Sequence, residues 1–490
     1  VLRWLSNLFA RKPETDGAQI LHRYRVLKAR YDAAITNPDN MRHWANADGF
    51  SANAANSAEI RRILRNRSRY EVANNSYAKG ICLTLANDVI GTGPRLQMLT
   101  PDANANRLIE REFGRWAQAV GLAEKLRTMR LARASDGEAF AILTSNETLV
   151  ALINLDLRLV EADQITTPDL FFNLEPAIDG IIFDRFGNPV EYHVLKQHPG
   201  DLQLVKHDLD YDRIPAKSVI HLFRCDRPGQ ARGIPDITPA LPLFAQLRRF
   251  TLAVLAAAET AADFAGILYT DAPANGEADS AVPFEPIELE QRALMTMPGG
   301  WKMSQLHAEQ PTTSHSEFVK QILNEIARCL NMPFNIAAGN SSGYNYASGR
   351  LDHQTYFKSI RVEQSHIEFT VLDRILTAWL DEAVLIEGFL PRALRTLDAD
   401  FSHQWFWDGR EHVDPAKEAN AQATRLTSHT TTLANEYAKQ GRDWEAELHQ
   451  RAKEVLLMEE LGLTTSEAGP TKVTNQEEDE IEEQEQQAAA

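Results

Sequence analysis

Asn340-Ser341-Ser342-Gly343-Tyr344-Asn345-Tyr346-Ala347-Ser348-Gly349-Arg350 is the stretch on which the reading of this chain turns. Upstream of it, Phe318, Ile322, Ile326 and Leu330 recur at helical spacing until Pro333. Downstream, a second helical pattern runs over residues 350–380. It has Leu351, Ile360, Ile367, Val371, Ile375 and Trp379 on one side and a polar interruption over 361–366. A small, polar, glycine-bearing loop held between two long helices is a poor core element. It is suited to presenting backbone amides and short hydroxyls to something that must slide past without being gripped.

Outward from the loop, the period of the sequence changes twice. Leu243, Leu247, Phe250, Val254 and Ala258 predict a helix from residue 238 to about 264, a rod of roughly 40 Å. Its alanine-rich second half permits close approach by a neighbouring helix. Residues 267–313 read as a small unit: a strand at 267–269, an acidic linker at 271–280, a short helix near 288–294 and a strand near 301–303. A helix returns through 314–331. Earlier, residues 124–240 alternate short strands with turns, the strands falling at 138–143, 157–160, 180–183, 190–194 and 219–223. The class is therefore α+β, with a largely antiparallel sheet.

The N-terminal part, residues 17–80, reads as helical and basic. Arg61, Arg62, Arg65, Arg67 and Arg69 lie on more than one helix face. A solvated helix or ion pairs between subunits is favoured there over phosphate contact. Asn87-Asp88-Val89-Ile90-Gly91-Thr92-Gly93-Pro94 reads as a helix end turning into a strand, and 104–121 as a helix with Trp116 on its apolar side. Residues 415–460 are helical again. Pro415 stands near a helix start, and Gly441-Arg442-Asp443 separates two helices. Residues 477–485 hold seven acidic side chains and one isoleucine, a tail that cannot bury enough surface to fold.

Bulk composition sets limits on function. A chain of 490 residues with 43% hydrophobic residues predicts two to four globular domains. The formal net charge of -17 argues against tight duplex binding, which relies on Lys and Arg neutralising phosphates. It suits a protein that encloses DNA without holding it, because like-charged walls keep a moving polyanion from sticking. Cys82, Cys225 and Cys329 lie far apart, without metal-ligand spacing and in odd number, which fits a reducing cytoplasm. The apolar start, Val1 to Ala10, carries Arg3 and reads as a docking arm or short helix rather than a signal peptide. No uninterrupted apolar run reaches the length of a membrane span. The best candidate, 251–258, is bounded by Arg248, Arg249 and Glu259.

Catalytic patterns are weak. Gly339-Asn340-Ser341-Ser342-Gly343 matches the Gly-x-Ser-x-Gly elbow, but a hydrolase needs a strand before the serine and a helix straight after it. Gly91-Thr92-Gly93 lacks the third glycine of a dinucleotide fingerprint, and no Gly-x4-Gly-Lys-Ser/Thr loop is present. His353 and His366 are not on one helix face. His412 with Asp414 is half a metal site, better read with Pro415 as helix-start chemistry. Asp136-Gly137-Glu138 reads as a hairpin turn into a strand rather than an acid pair. No catalytic residue, metal or cofactor is expected.

Several short segments occur in one order: Asn87-Asp88-Val89-Ile90-Gly91-Thr92-Gly93, Asp136-Gly137-Glu138-Ala139-Phe140, Glu161-Ala162-Asp163-Gln164 and His198-Pro199-Gly200-Asp201. They continue with Ile214-Pro215-Ala216, His221-Leu222-Phe223, Arg227-Pro228-Gly229-Gln230-Ala231-Arg232-Gly233-Ile234-Pro235, Asn345 to Arg350, and Val413-Asp414-Pro415-Ala416-Lys417-Glu418-Ala419. In this order, over roughly residues 45–460, the chain resembles the lambda-type phage portal family. Ala347 departs from the serine usual in that family's Asn-Tyr-Ser-Ser-x-Arg signature.

The resemblance implies a ring, usually of twelve subunits, at one capsid vertex, through which double-stranded DNA is packaged and ejected. It implies a portal fold with a wing at 1–237, stem helices at 238–266 and 314–333, a clip at 267–313 and a tunnel loop at 334–349. A long helix then returns to the wing over 350–409, followed by a helical crown at 410–462 and an acidic tail at 463–490. Ser341, Ser342, Tyr344, Asn345 and Tyr346 would line the narrowest passage, with Arg350 anchoring the loop base. The implied partners are DNA, the large terminase subunit, a head-tail connector or adaptor, and the major capsid and scaffold proteins, with no membrane. Assembly would occur in the host cytoplasm and residence in the virion. A serine hydrolase using Ser341 and a monomeric adaptor or scaffold are the alternatives.

Overall fold

The computed structural model describes residues 38, 40–167, 177–201, 210–263, 267–270, 301–304, 314–343, 345–395, 401–409 and 415–463. The chain divides into two compact units, residues 1–57 with Arg227–Gly229, and the remainder. In the first, Ser51 caps the short helix α1 (Ala52–Ala55) by accepting from the Ala54 amide. Asn53 Nδ2 donates to Gly229 O at 2.9 Å, and Arg227 donates to Phe50 O at 3.0 Å.

The second unit opens with α2 (Ala58–Asn74) and α3 (Ser76–Ile90). Asn75 caps α3, its side chain accepting from the amides of Tyr77 and Ala78. Ala78, Ile81, Cys82, Leu85, Val89 and Ile90 form the buried stripe of α3, and Gly91 closes the helix with a positive φ of 57°. Strand β1 (Arg95–Met98) follows, as the sequence predicts. Helix α4 (Ala103–Ala119) is capped by Asp102 and buries Ala105, Ile109, Phe113 and Trp116. The Trp116 indole donates to Leu155 O at 2.7 Å, which satisfies its only polar atom in the core.

The next element differs from expectation. Residues expected to enter the strand-and-turn region form a helix instead, α5 (Leu122–Asp136). Its inward face carries Arg130 and Arg133 beside Leu126 and Met129, so the apolar period that marks a buried helix is broken by two buried cations. Asp136-Gly137-Glu138 is accordingly a helix C-terminus running into a strand, not a hairpin turn. Gly137 has φ 92° and caps α5.

Strands β2 (Glu138–Ser145), β3 (Leu155–Val160), β4 (Ala177–Ile178), β5 (Ile181–Phe183), β6 (Pro189–Leu195), β7 (Tyr211–Pro215) and β8 (Val219–Phe223) make two antiparallel sheets. One has the order β3-β2-β8, the other β4-β5-β6-β7. Strand β2 is covered on both sides. Ala139 and Ala141 face the main core with Trp116 and Leu126, whereas Phe140 and Ile142 face a second core with Ile165, Tyr192 and Val219.

Helix α6 (Leu241–Asp263) is rooted in the main core by Leu241, Phe244 and Leu247. Beyond that point it leaves the core, and Leu252 and Leu255 are 58% and 53% exposed. Thr238–Glu259 has the length and hydropathy of a membrane span, with Arg248 and Arg249 near its middle. Strands β9 (Ile267–Thr270) and β10 (Trp301–Ser304) pair antiparallel, and the short helix expected near 288–294 lies outside the described residues. Helix α7 (Ser314–Arg328) runs back beside α6, with Phe250 stacked on His315 and 4.6 Å from the Phe318 ring centroid.

Helix α8 (Phe334–Ala338) precedes the polar loop, and α9 (Tyr346–Ile367) follows it. The long helix continues through a π-helical turn at Glu368–Leu372 into α10 (Asp373–Leu385). Strand β11 (His403–Phe406) pairs with β1 across a separation of some three hundred residues, a pairing the sequence does not announce. The C-terminal region forms three helices where two were expected: α11 (Pro415–Thr427), α12 (Leu433–Lys439) and α13 (Trp444–Glu460). Asp443 is the N-cap of α13, and the acidic tail lies outside the described residues.

Candidate functional site

The polar loop is short, exposed and fastened at both ends. Phe334, Asn335 and Ala337 bury α8 in the core, and Gly339 ends it in a left-handed turn at φ 62°. The Asn340 amide reaches back to Asn335 O at 3.0 Å. The Asn340 side chain then accepts from the Ser342 amide at 2.9 Å, which folds the loop on itself. Ser341, Ser342, Gly343, Asn345 and Arg350 are exposed. Tyr344 lies outside the described residues. Tyr346 is the first residue of α9, whose first turn closes by the Gly349 amide donating to Asn345 O at 3.0 Å.

Arg350, expected to anchor the base of the loop, lies exposed in the first turn of α9, and other contacts fasten the flanking helices. Asn335 of α8 and His353 of α9 are hydrogen-bonded at 3.0 Å. One turn on, Tyr356 donates to Asp88 at 2.7 Å, and Gln364 donates to Val89 O at 2.9 Å. Burial, reinforced by the Asp88 carboxylate, pushes the Tyr356 phenol well above its ordinary range. The polar interruption 361–366 is thus where the long helix is fastened. Glu363 takes Arg130 and Arg133 of α5, and His366 meets Phe223 O at 3.3 Å.

Residues of four of the segments singled out above, 136–140, 161–164, 221–223 and 230–235, contribute to or adjoin two buried ion clusters. In the first, Glu138 at the start of β2 is fully buried. It accepts from Arg232 Nη2 at 2.7 Å, from Gly233 N at 3.1 Å, from Arg65 Nη1 at 3.4 Å and shares a 3.1 Å bond with His221 Nε2. Arg232 also donates to Ile165 O and Ala162 O at 3.1 and 3.3 Å, while Asp179 pairs with both Arg61 and Arg232. Arg69 bridges Asp136, Glu161 and Asp163. The α2 arginines expected at the surface or between subunits are therefore partly internal: Arg61 and Arg65 are buried within one subunit. Burial alone would raise the Glu138 carboxyl, but the Arg232 guanidinium and the His221 bond hold it well below the usual carboxylate range. Burial lowers the pKa of His221, against the opposing pull of Glu138.

The second cluster joins α5 to the segment before α6 and to α9. Asp236 pairs with Arg130 and with Arg224, each at 3.1 Å, and Glu363 closes it from α9. Glycine lets the two clusters share one junction. A Cβ on Gly137 would lie 2.4 Å from the Ile234 carbonyl carbon, and one on Gly233 2.0 Å from Gly137 O.

No catalytic arrangement emerges at the serine of the elbow pattern. Ser341 follows a helix and a left-handed glycine, not a strand, and makes no hydrogen bond to a histidine among the described residues. Glu161, Asp163 and His198 bring one potential ligand atom each within 4.8 Å of one another. The Arg69 guanidinium already stands at 3.1 and 2.9 Å from the two carboxylates, so the group is an ion pair in character. His412 and Asp414 lie outside the described residues.

The family described as phage portal protein, lambda family, matches residues 37–364, well over half of the chain. The chain belongs to the lambda family of phage portal proteins. This portal protein is 26% identical over 428 residues to a probable portal protein of Halomonas phage phiHAP-1, covering 82% of this chain and 81% of that one. Among solved structures it is similar to a chain of the neck of an empty gene transfer agent (GTA) particle computed with C6 symmetry, at 14% identity and a TM-score of 0.42, covering 77% and 93% of the two chains. A chain from the neck of the native GTA particle computed with C12 symmetry gives 14% identity, a TM-score of 0.41 and coverage of 76% and 92%. Portal proteins are structural rather than catalytic, and they are virion components.

Proposed function

We propose that this portal protein forms a ring, of twelve subunits in the virion, that encloses double-stranded DNA during packaging and ejection. Ser341, Ser342, Tyr344, Asn345 and Tyr346 border the passage, with Arg350 an exposed cation at the foot of the loop. What supports this reading is the exposed polar stretch 339–343 with Asn345, set between two helices that are each fastened to the core. Short hydroxyls and amides on a rigid base give a smooth polar rim, and an acidic surface does not hold a polyanion.

In this reading 1–237 and the returning chain 350–409 form the wing, α6 and α7 the stem, and 267–313 the clip. Residues 410–462 form the crown. The clip faces the large terminase subunit during packaging and a head-tail connector afterwards, while capsid and scaffold proteins surround the wing. The uncovered flank of α6 supports ring closure. Each exposed leucine gains about 1.5–3 kcal/mol on burial, and the arginine pair in mid-helix makes a lipid environment costly.

Deleting residues 341–346 tests the loop assignment. Rings should still form by native mass, and DNA packaging or retention should fall. A deletion that packages and retains DNA as well as the parent refutes the assignment. A native mass near the 55.0 kDa of one chain would favour the adaptor reading instead.

A further inference from the structure

The outward side of α9 carries two cations without an answering charge. Lys358 and Arg361 stand one turn apart, both exposed, and neither forms an ion pair among the described residues. No acidic residue lies three or four places from either along the helix, so α9 does not neutralise them itself. Glu363, the nearest acid of the helix, is turned inward to Arg130 and Arg133. Beside the cations, Gln354, Val362 and Ser365 line the same open depression of about 660 Å³. Val362 is 66% exposed, and Phe369, two turns further on, is 78% exposed. The face is basic and apolar on a chain whose net charge is -17.

The chain supplies an occupant of matching chemistry. The described residues end at Leu463, and 464–490 follow. Within that length, 477–485 sets seven carboxylates around one apolar side chain, Ile481. Trp407 brings the start of α13 close to the long helix. Its indole donates to Glu368, the neighbour of Phe369, at 2.5 Å, and its carbonyl oxygen would lie 2.5 Å from a Cβ on Gly441, two residues before the N-cap Asp443. From Phe369 back to Lys358 is about 16 Å of helix, and α13 adds about 25 Å if it points away. A chain running from Leu463 to Ile481 spans up to about 60 Å, so 477–485 reaches Lys358 whichever way α13 points.

We propose that the acidic segment 477–485 docks on this face of α9 within its own subunit, with carboxylates on Lys358 and Arg361 and with Ile481 against Val362. No other stretch of the chain, in this copy or a second one, offers the two cations a denser run of carboxylates. Tethering gives the segment an effective concentration on the order of millimolar, which a separate molecule would have to exceed. The docked segment occupies cations that a phosphate backbone would otherwise neutralise, so that side of the helix after the loop has no grip on DNA. That consequence rests on the conduit reading; the docking is a contact inside one subunit and does not.

Acetylation of lysine amines in the full-length protein at low salt, read by peptide mass spectrometry, tests the contact. Replacing the seven acids of 477–485 by their amides should raise the rate at Lys358 about two- to tenfold and leave the exposed Lys79 of α3 unchanged. Salt at about 1 M should do the same to the parent protein, because screening then acts within about 3 Å. Zero-length carbodiimide coupling should join Lys358 to carboxylates within 477–485, and a mixture of isotopically light and heavy chains should show the link within single chains. Equal Lys358 rates in the parent and the amide variant overturn the proposal. So does coupling of Lys358 only to carboxylates outside 477–485, or only between light and heavy chains, which is the result expected if a neighbouring copy covers the face. Absence of any coupling at Lys358 in low salt overturns it as well.

Discussion

Replacing Glu138 by Gln keeps the shape of the side chain and removes one charge from the centre of the first ion cluster. In the parent, that carboxylate meets Arg232, Arg65, His221 and the Gly233 amide. The substitution takes from the Arg232 guanidinium, which is 0% exposed, its fully buried anionic partner, and leaves the pair with Asp179 in place. Removing one partner of a buried ion pair costs about 3–5 kcal/mol, because the other charge stays desolvated. Loss at that level is expected in urea unfolding followed by tryptophan fluorescence. Combining Glu138→Gln with Arg232→Met should be non-additive by about 0.5–3 kcal/mol, since the two side chains are in direct contact. The pH dependence has a defined sign. Glu138 is held below its ordinary 4.5, so its contribution is present above that pH and is lost only in strong acid, as pH falls through its folded value. His221 is also lowered, so the protein should begin to lose stability as pH falls below its ordinary 6.5, where the unfolded chain takes up a proton that the buried ring resists. A Glu138→Gln cost below about 1 kcal/mol would refute the picture, for it would mean that water already satisfies these charges.

Three further substitutions test the packing and the fastening of the long helix. Gly137→Ala forces a side chain to adopt φ 92° and to meet the Ile234 backbone at 2.4 Å, so a loss of about 3 kcal/mol is expected. Gly121→Ala, at φ 64° with nothing within 4 Å, should cost only about 1 kcal/mol in the same urea unfolding comparison. Tyr356→Phe removes a 2.7 Å hydrogen bond to a carboxylate and should cost about 1.5–3 kcal/mol in the urea midpoint. A cost near zero would show that Asp88 does not fasten the long helix.

The elements with regular apolar spacing were legible in the sequence. The rod at 238–264, the returning helix at 314–331 and the strand at 219–223 appear where their periods place them. Helix α5 was not, because two of its inward positions are arginines, and an inward arginine looks like an exposed one until its partners are known. Those partners, Asp236 and Glu363, lie far along the chain. Strand β11 was missed for a related reason: it is short and finds its pair, β1, only after three-dimensional closure. The loop itself was legible as polar and interhelical. Its fastening was not, because Asn335, His353, Tyr356 and Gln364 carry no pattern beyond their types.

The ion clusters also explain how an arginine-rich second helix is compatible with a DNA conduit that does not grip. The buried charged residues described are Arg61, Arg65, Arg130, Arg133 and Arg232 on one side and Glu71, Asp136, Glu138, Asp236 and Glu436 on the other. They balance. The net charge of -17 is therefore carried outside the described interior, on the surface and in segments such as the acidic run at 477–485. The buried cations are unavailable to phosphates, and counterion release, which drives duplex binding, has little to draw on. Arg61 and Arg65 of that helix instead tie it, through Asp179 and Glu138, to the sheet region. In the ring proposed above, the buried arginines would lend rigidity without offering cations to a moving polyanion.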